Sequence, residues 1–240
     1  MRPLIKNKTS LRRGRPKVAG LAERRRAEIL AAATQEFARR GYAGTDLRVV
    51  ATRLDLGKGT VYRYFPTKEA LFLAAADRGM RLLSEQSNAE VARVRDPFEK
   101  IIRATHVYLR FFDEHPEFVE LFVQERAQFR DRQRPTYFAH RDANIGPWRA
   151  LLRTLIAAGQ IRRMPVSRIT DVFNAALYGA IFTNYFEGRR RSPDRQATEI
   201  LDVILQGIVG PRGRPGLSFL LKAGKGSRAV EARIRRGGRT

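Results

Sequence analysis

Apolar residues recur at spacings of three and four along almost the whole chain, from residue 21 to residue 209. This is the period of an amphipathic α-helix, whereas the strict alternation of a β-strand is nearly absent. The sequence therefore predicts an all-α fold. Glycines, prolines and capping residues place the predicted helices at 21–40, 45–54, 58–64, from Thr67 onward, and at 97–114, 116–130, 147–158, 166–187 and 195–209.

The positive charge of the chain is concentrated at its two ends. The formal net charge is +23, and residues 1–20 hold seven basic and no acidic side chains, while residues 211–240 hold nine basic and one acidic. Such an excess is typical of proteins that bind nucleic acid or an anionic membrane surface. Because both ends also lack apolar periodicity, we predict a basic disordered arm over 1–20 and a basic disordered tail over 211–240.

Several classes of protein are disfavoured by what the sequence does not contain. There is no cysteine, which excludes disulfides, thiolate metal sites and cysteine nucleophiles and fits a reducing cytosol. The most apolar stretch, 172–186, is interrupted by polar residues and is too short to span a bilayer. No metal-ligand cluster, nucleotide loop or nucleophile–base pattern stands out. We therefore expect a cytoplasmic protein with no membrane partner, cofactor or metal, and not an enzyme.

The most informative segment of the chain is 41–71. It contains a predicted helix over 45–54, a tight break at 55–57 and a second helix over 58–64. Helix, tight turn and helix is the geometry that lays the second helix in the major groove of DNA. The segment therefore predicts a helix-turn-helix.

The second helix of this segment opens on small residues around one cation, Gly57-Lys58-Gly59-Thr60. At a helix N-terminus, unpaired backbone N–H groups can meet phosphate, and small side chains permit close approach. The alternative is that the glycines are turn residues and that Tyr62 and Tyr64 are core aromatics. The basic surroundings and the tandem helices favour DNA.

This segment resembles the DNA-binding motif of the tetracycline-repressor (TetR) family. Leu54, Asp55 and Gly57 depart from the family pattern, so the family's serine phosphate contact cannot be transferred to position 57. The resemblance implies a three-helix helix-turn-helix domain over 21–66 and a helical ligand-binding and dimerisation domain over 67–210. The matching or conservatively substituted positions are Gly41, Thr45, Val50, Ala51, Leu56, Gly59, Val61, Tyr62, Tyr64, Phe65, Lys68 and Leu71.

The resemblance also implies roles for individual residues. Phosphate contacts position a protein on DNA, whereas contacts to base edges specify the sequence. Phe65 and Leu71 are expected in the core. Phosphate contacts are implied for Thr45, Thr60, Tyr62 and Lys68, base contacts for Lys58, Gly59 and Arg63, and either for Tyr64.

Both basic ends contain the tetrapeptide Arg-Gly-Arg-Pro, at Arg13, Gly14, Arg15 and Pro16 and again at 212–215. It resembles the core of an AT-hook, whose arginines enter a narrow A·T minor groove. The alternative is non-specific attraction to phosphate, which raises affinity and salt sensitivity without sequence preference.

The family resemblance implies that part of the larger domain is hollow and holds a small effector of apolar or aromatic character. His106 is the polar member of an apolar helix face and is the leading candidate to anchor that effector. The alternative is a hydrogen-bonded core histidine. The predicted pocket residues are His106, Leu109, Phe122, Trp148 and Phe173.

Residues 169–188 carry more apolar surface than one core helix needs, since Val172, Ala176 and Ala180 recur at spacing four beside a second apolar stripe. We predict a homodimer through 169–188 and 194–209, packed as a four-helix interface. The alternative is complete burial of these residues within the monomer.

These features lead to one main hypothesis and two competitors. The main hypothesis is a ligand-responsive transcriptional regulator, a repressor that binds a palindromic double-stranded DNA operator as a dimer and is released by a small molecule. The first competitor is an architectural protein that binds A·T-rich DNA through its basic ends. The second is a helical enzyme or carrier in which the basic segments are incidental.

Overall fold

The computed structural model describes residues 20–188 and 192–209, and over these residues the chain is helical with a single isolated β-bridge, between Ile161 and Val209. The all-α prediction is therefore confirmed. Both basic ends, with their Arg-Gly-Arg-Pro tetrapeptides, lie outside the described residues. The helices within the described part are α1 (Leu21–Gly44), α2 (Leu47–Arg53), α3 (Lys58–Tyr64), α4 (Lys68–Ala92), α5 (Pro97–Glu114), α6 (Pro116–Gln128), α7 (Thr136–Ala157), α8 (Val166–Glu187) and α9 (Pro193–Ile208).

Helices with strong local start and stop signals have the bounds that the sequence predicts. Helix α5 begins with Pro97 in its first turn, where the carboxylate of Asp96 accepts a hydrogen bond from the backbone N–H of Glu99. Helix α8 ends at Gly188, which adopts a left-handed conformation with φ of 60°. Proline at a helix start and glycine just past its end satisfy local geometry without help from other elements.

Helix α7 begins eleven residues earlier than predicted, at Thr136, and runs through Pro147. The prediction of a start at Pro147 was wrong because the true start is stabilised from another helix. The buried carboxylate of Glu125, in α6, accepts hydrogen bonds from the backbone N–H of Thr136 at 2.9 Å and from its hydroxyl at 3.0 Å. A cap supplied eleven residues away has no local sequence signature.

The end of α1 and the start of α2 also differ from the prediction in detail. Gly41 has φ of 74° and breaks the regular helix there, as expected of a helix-stop glycine. Helix α2 begins at Leu47 and not at 45, because its cap is Asp46, whose carboxylate accepts from the backbone N–H of Arg48. The hydroxyl of Thr45 donates instead to the carbonyl oxygens of Gly41 and Glu36, at 2.7 and 3.2 Å.

The buried side chains form two clusters. The first cluster runs from α1–α3 through α4 into the bundle and includes Phe37, Val61 and Phe118. The second cluster joins α5, α7, α8 and α9 through residues such as Phe98 and Leu155, and no residue of α1, α2 or α3 belongs to it. The helix-turn-helix segment therefore shares its core with one part of the bundle only.

A chain of hydrogen bonds joins the bundle to the end of α1. The buried side chain of Gln124, in α6, donates to the carbonyl oxygen of Phe37 at 2.9 Å and to the carboxylate of Glu120 at 2.7 Å. The hydroxyl of Tyr185, in α8, donates to the same carboxylate. The last carbonyls of a helix lack partners within it, so Gln124 supplies one from outside.

A helix that crosses a bilayer needs about 20 predominantly apolar residues. Among the described residues, no helix is both long and apolar enough to do so.

Candidate nucleic-acid interface

The turn between α2 and α3 is closed by two backbone hydrogen bonds. The N–H of Leu56 donates to the carbonyl of Ala51 at 2.9 Å, and the N–H of Asp55 donates to that of Thr52 at 3.1 Å. This pairing is a Schellman motif, which requires a left-handed residue just past the helix end. Asp55 fills that position with φ of 53°. Its departure from the family glycine is tolerated because aspartate visits this region more readily than most residues.

Helix α3 is oriented by what it buries. Val61 is fully buried, and Phe65, just past the helix end, is 3 % exposed in the first cluster. Because residues four apart share a helix face, the opposite face presents Lys58 with Tyr62 and Gly59 with Arg63. All four are exposed. Four of the predicted DNA contacts therefore lie on one exposed face of α3, and a fifth, Thr60, is half-buried at the edge of that face.

The cations of α3 lie against aromatic rings and not against carboxylates. The ammonium of Lys58 lies 5.3 Å from the centre of the Tyr62 ring, and the guanidinium of Arg63 lies 5.6 Å from that of Tyr64. Among the described residues, no ion pair joins Arg63 to Asp55 or to another carboxylate. The charge of both side chains thus remains available to an anionic partner. Tyr64 is half-buried and packs on the first cluster.

Lys68 joins the start of α4 to the connection between α1 and α2. Its ammonium donates to the carbonyl oxygen of Ala43 at 3.1 Å and lies 4.8 Å from the centre of the Tyr42 ring. An ammonium has three donors, so two remain after the bond to Ala43. The structure therefore gives Lys68 a structural contact beside the predicted phosphate contact.

The predicted phosphate contact of Thr45 is not supported by its position. Thr45 is 2 % exposed, and both of its donors are used, the hydroxyl as described and the backbone N–H on Tyr42. The physical reason is that the carbonyls near the break at Gly41 need partners, and the Thr45 hydroxyl is close enough to provide one. We therefore correct the role of Thr45 from phosphate contact to internal cap.

A buried carboxylate organises the arginines of α1 and α2. Glu36 is 3 % exposed at its side chain and forms ion pairs with Arg39, Arg40 and Arg53, at 3.1, 3.0 and 3.0 Å. Burial alone would raise the pKa of Glu36, but hydrogen bonds and charge from these arginines outweigh it and hold the pKa below its usual value. The Arg53 contact fixes α2 against α1.

The residues predicted to line the effector pocket do not lie together in the structure. Leu109 and Phe122 lie in the first cluster, whereas Trp148 and Phe173 pack on the second. The ring of His106 turns to Asp194, with Nδ1 2.9 Å from its carboxylate. Burial would raise the pKa of Asp194, but His106 and Arg110 hold it below its usual value.

The length of α5 explains why the predicted pocket residues do not lie together. A helix of 18 residues is about 27 Å long, so one end of the apolar stripe of α5 packs in the first cluster and the other end packs in the second. The sequence shows the stripe but not this division.

Sequence reasoning missed a cluster of buried aromatic residues between α5, α7 and α8. The hydroxyls of Tyr108 and Tyr137 lie 2.5 Å apart, and both residues stack with Tyr178, Phe122 or Phe112. Burial raises the pKa of Tyr137 to about 12, so it stays protonated at neutral pH. None of the predicted helices includes the segment that contains Tyr137. The adjacent aromatic residues at 137–138 are the sequence feature that could have indicated this cluster.

An exposed helix preceded by a Schellman turn, on an all-α scaffold, defines the class of helix-turn-helix proteins. Residues 29–75 match the model described as bacterial regulatory proteins, tetR family. Over these residues the chain is similar to the tetR family of bacterial regulatory proteins. The resemblance noted for residues 41–71 is thereby confirmed.

Individual relatives agree with this family assignment. The chain is 34% identical over 101 residues to the uncharacterized HTH-type transcriptional regulator YhgD of Bacillus subtilis, covering 42% of this chain and 52% of the relative. It is 33% identical over 94 residues to the HTH-type transcriptional repressor KstR of Mycobacterium tuberculosis, covering 35% and 43%. The chain thus spans about half or less of the curated relatives it matches. These relatives are named as transcriptional regulators.

Solved structures share the fold over most of the chain. The TetR-family regulator PfmR of Thermus thermophilus matches with a TM-score of 0.60 and 25% identity, covering 74% of this chain and 97% of that one. The likeness extends well beyond the helix-turn-helix, so the arrangement of a helix-turn-helix followed by a helical domain is confirmed.

Gly59 provides a test that separates a DNA contact from a purely structural role. A Cβ built on Gly59 meets no atom within 4 Å, and the residue has ordinary helical backbone, so the fold does not require glycine here. We expect Gly59→Leu to fold with an unchanged or slightly higher melting temperature, because leucine favours helix. The same variant should bind DNA at least about tenfold more weakly, because the side chain stands where α3 approaches the duplex.

Fluorescence anisotropy with a duplex selected from a random library measures the binding, and thermal unfolding measures the stability. Gly146→Leu, on α7, is a matched control, since a Cβ there also meets nothing within 4 Å. Equal DNA affinity of Gly59→Leu and wild type would show that this face does not approach DNA.

Proposed function

We propose that this chain is a transcriptional regulator, a repressor that binds a palindromic operator as a homodimer and is released by a small molecule. The observation that carries the proposal is the exposed face of α3, where Lys58, Gly59, Tyr62 and Arg63 lie together without carboxylate partners on a helix-turn-helix. The repressor named KstR among the relatives supports repression.

On this proposal, Arg63 and Lys58 read base edges and their neighbours hold the backbone. A guanidinium can donate to guanine O6 and N7 together, whereas an ammonium acts as a point charge. Tyr62, 38 % exposed, and Thr60 lie at the flanks of the face, where phosphates would pass. Lys68 would contact phosphate with the donors that Ala43 leaves unused.

The homodimer is supported by apolar side chains left exposed on α8 and α9. Val172 is 51 % exposed, Phe186 67 % and Val203 74 %. Three large apolar side chains exposed on two adjacent helices are unfavourable in water unless another surface covers them. The prediction of complete burial within the monomer does not account for this exposure.

The effector is proposed to be small and apolar or aromatic, with one hydrogen-bond acceptor. The paired hydroxyls of Tyr108 and Tyr137 share one hydrogen bond, so one hydroxyl hydrogen of the pair lacks an acceptor among the described residues. An acceptor on an aromatic ligand would satisfy it within the surrounding rings. This site replaces the set predicted around His106.

The architectural alternative depends on the basic ends, which lie outside the described residues. The arrangement of α2 and α3 favours the regulator, because a protein that binds only through its ends has no need of an exposed, uncompensated α3 face.

Arg63→Ala tests the assignment of base reading. We expect a loss of about 1–3 kcal/mol on the selected operator and a smaller loss on random duplex, because a bidentate base contact carries sequence preference. Binding to a set of single-base operator variants at fixed salt measures this. Arg81→Ala is the control, since the side chain of Arg81 is 47 % exposed on α4, outside both α3 and the proposed dimer face. A uniform loss across all variants would assign Arg63 to the phosphate backbone.

Phe186→Glu combined with Val203→Glu tests the dimer face. Charged side chains at these positions would have to be buried in a dimer, so we expect sedimentation at micromolar concentration to give the mass of one chain, against two for wild type. Leu21→Glu is a matched control, because Leu21 is also an exposed apolar residue, at 55 %, but lies on α1. A dimeric mass for the double variant would place the interface elsewhere.

Tyr108→Phe combined with Tyr137→Phe tests the effector site. We expect that aromatic compounds with one acceptor, found by their raising the melting temperature of wild type, lose most of that effect in the double variant, because both hydroxyl donors of the pair are removed. Hits that stabilise the double variant as well as wild type would locate the effector site elsewhere.

A further inference from the structure

A second group of uncompensated cations lies far along the chain from α3. Residues 149–168 contain five arginines and no acidic residue, whereas the other 120 residues of 71–210 contain 16 basic and 17 acidic ones. The positive excess of the bundle therefore comes entirely from the end of α7, the turn after it and the start of α8. We call this the arginine surface, and its members are Arg149, Arg153, Arg162, Arg163 and Arg168.

The members of the arginine surface lack the ion pairs that several other arginines of the bundle form. Arg81, Arg103 and Arg141 each pair with a carboxylate at 2.5–3.0 Å. Across residues 20–188 and 192–209, none of the five members of the arginine surface has such a partner, and the buried Nε of Arg149 has no hydrogen bond at all. Four of the five side chains are exposed. Their charge is therefore available to an external anion.

The arginine surface borders an open groove, and the described part of the chain ends beside this groove. Arg153, Arg162 and Arg163 border an open groove of about 630 Å³. At its floor, Ile161 pairs with Val209, and the N–H of Arg162 donates to the carbonyl of Ile208 at 2.9 Å. The chain thus leaves the described part beside the groove, and the segment 211–240 that follows carries nine basic residues and one acidic residue.

Several like charges on one exposed surface repel one another, and the repulsion is relieved by a polyanion. Duplex DNA carries one negative charge per roughly 1.7 Å of its axis, and lysines and arginines that bind it release condensed counterions. A small anion would offer fewer charges to the five arginines than a duplex does. Charge complementarity therefore favours DNA as the occupant.

We propose that the arginine surface binds the phosphate backbone of a second DNA segment, so that one protein molecule joins two duplexes. Ile161, which lines the groove, belongs to the second cluster, to which no residue of α1–α3 contributes, and the proposal therefore assigns the groove a duplex other than the one held by α3. The joining of two duplexes rests on the proposed function of α3, whereas phosphate binding by the arginine surface does not.

The test uses the full chain with Arg153, Arg162 and Arg163 each replaced by Gln. The control replaces Arg81, Arg103 and Arg141 by Gln, which removes the same charge from side chains that have carboxylate partners. A third variant carries Lys at the three surface positions. All four proteins are first compared by circular dichroism and melting temperature to establish that they fold.

An immobilised duplex carrying the selected operator is saturated with protein, and retention of a fluorescent random-sequence duplex is measured. We expect the Gln variant to retain the second duplex at least about tenfold less than wild type, with operator affinity within about twofold, and the Lys variant to retain it nearly as wild type does, because phosphate is held by charge. The control variant should behave as wild type.

Direct binding to the random-sequence duplex at several salt concentrations tests the surface even if no operator is found. The slope of log affinity against log salt should fall by roughly three in the Gln variant, about one per lost contact. Unchanged retention and slope in the Gln variant would overturn the proposal. Equal losses in the Gln variant and the control would also overturn it, because they would indicate an effect of net charge alone.

Discussion

The burial of Val61 and Phe65 is the interaction on which the position of α3 depends. A helix of seven residues does not hold together in water by itself, since isolated helices shorter than about 12 residues are marginal. Burying each of these side chains contributes about 1.5–3 kcal/mol relative to exposure, which fixes both the existence and the rotation of α3. The outward direction of Lys58 and Arg63 is a consequence of this packing and not of any interaction of their own.

The rest of the helix-turn-helix is held to α1 and, through α1, to the bundle. Glu36 ties α2 to α1 through Arg53, and Gln124 supplies a donor to the Phe37 carbonyl one turn before the break at Gly41. Through Glu120, Gln124 is also linked to Tyr185 of α8. Helix α8, which carries exposed apolar side chains, is thus connected to the end of α1 by three successive hydrogen bonds, through the half-buried Glu120 and the buried Gln124.

The sequence predicts those parts of the fold whose causes are local. The bounds of α5 and α8 follow from Asp96, Pro97 and Gly188, and the helix-turn-helix follows from a dense motif over 41–71. The start of α7 could not be predicted, because the carboxylate that caps it belongs to α6. The role of His106 could not be predicted either, because Asp194 lies 88 residues away in the chain. Capping and turn residues close in sequence define where the helices begin and end. Contacts between helices that are distant in sequence decide which polar side chains form hydrogen bonds or ion pairs within the fold.

The same distinction decides which of the many arginines are available to an anionic partner. Arg39, Arg40 and Arg53 converge on Glu36, whose lowered pKa means that it stays ionised in the folded state at neutral pH. Because the pKa is depressed on folding, the stabilisation is fully present above the ordinary value of 4.5 and is lost only as the pH falls below it. At neutral pH, Arg53 therefore holds α2 against α1, while Arg39 and Arg40 share the same carboxylate from within α1. The single charge of Glu36 offsets one of these three cations, so an ion pair on this surface removes less positive charge than the number of arginines in it suggests. The cations of α3 and those at the end of α7 have no carboxylate against them among the described residues.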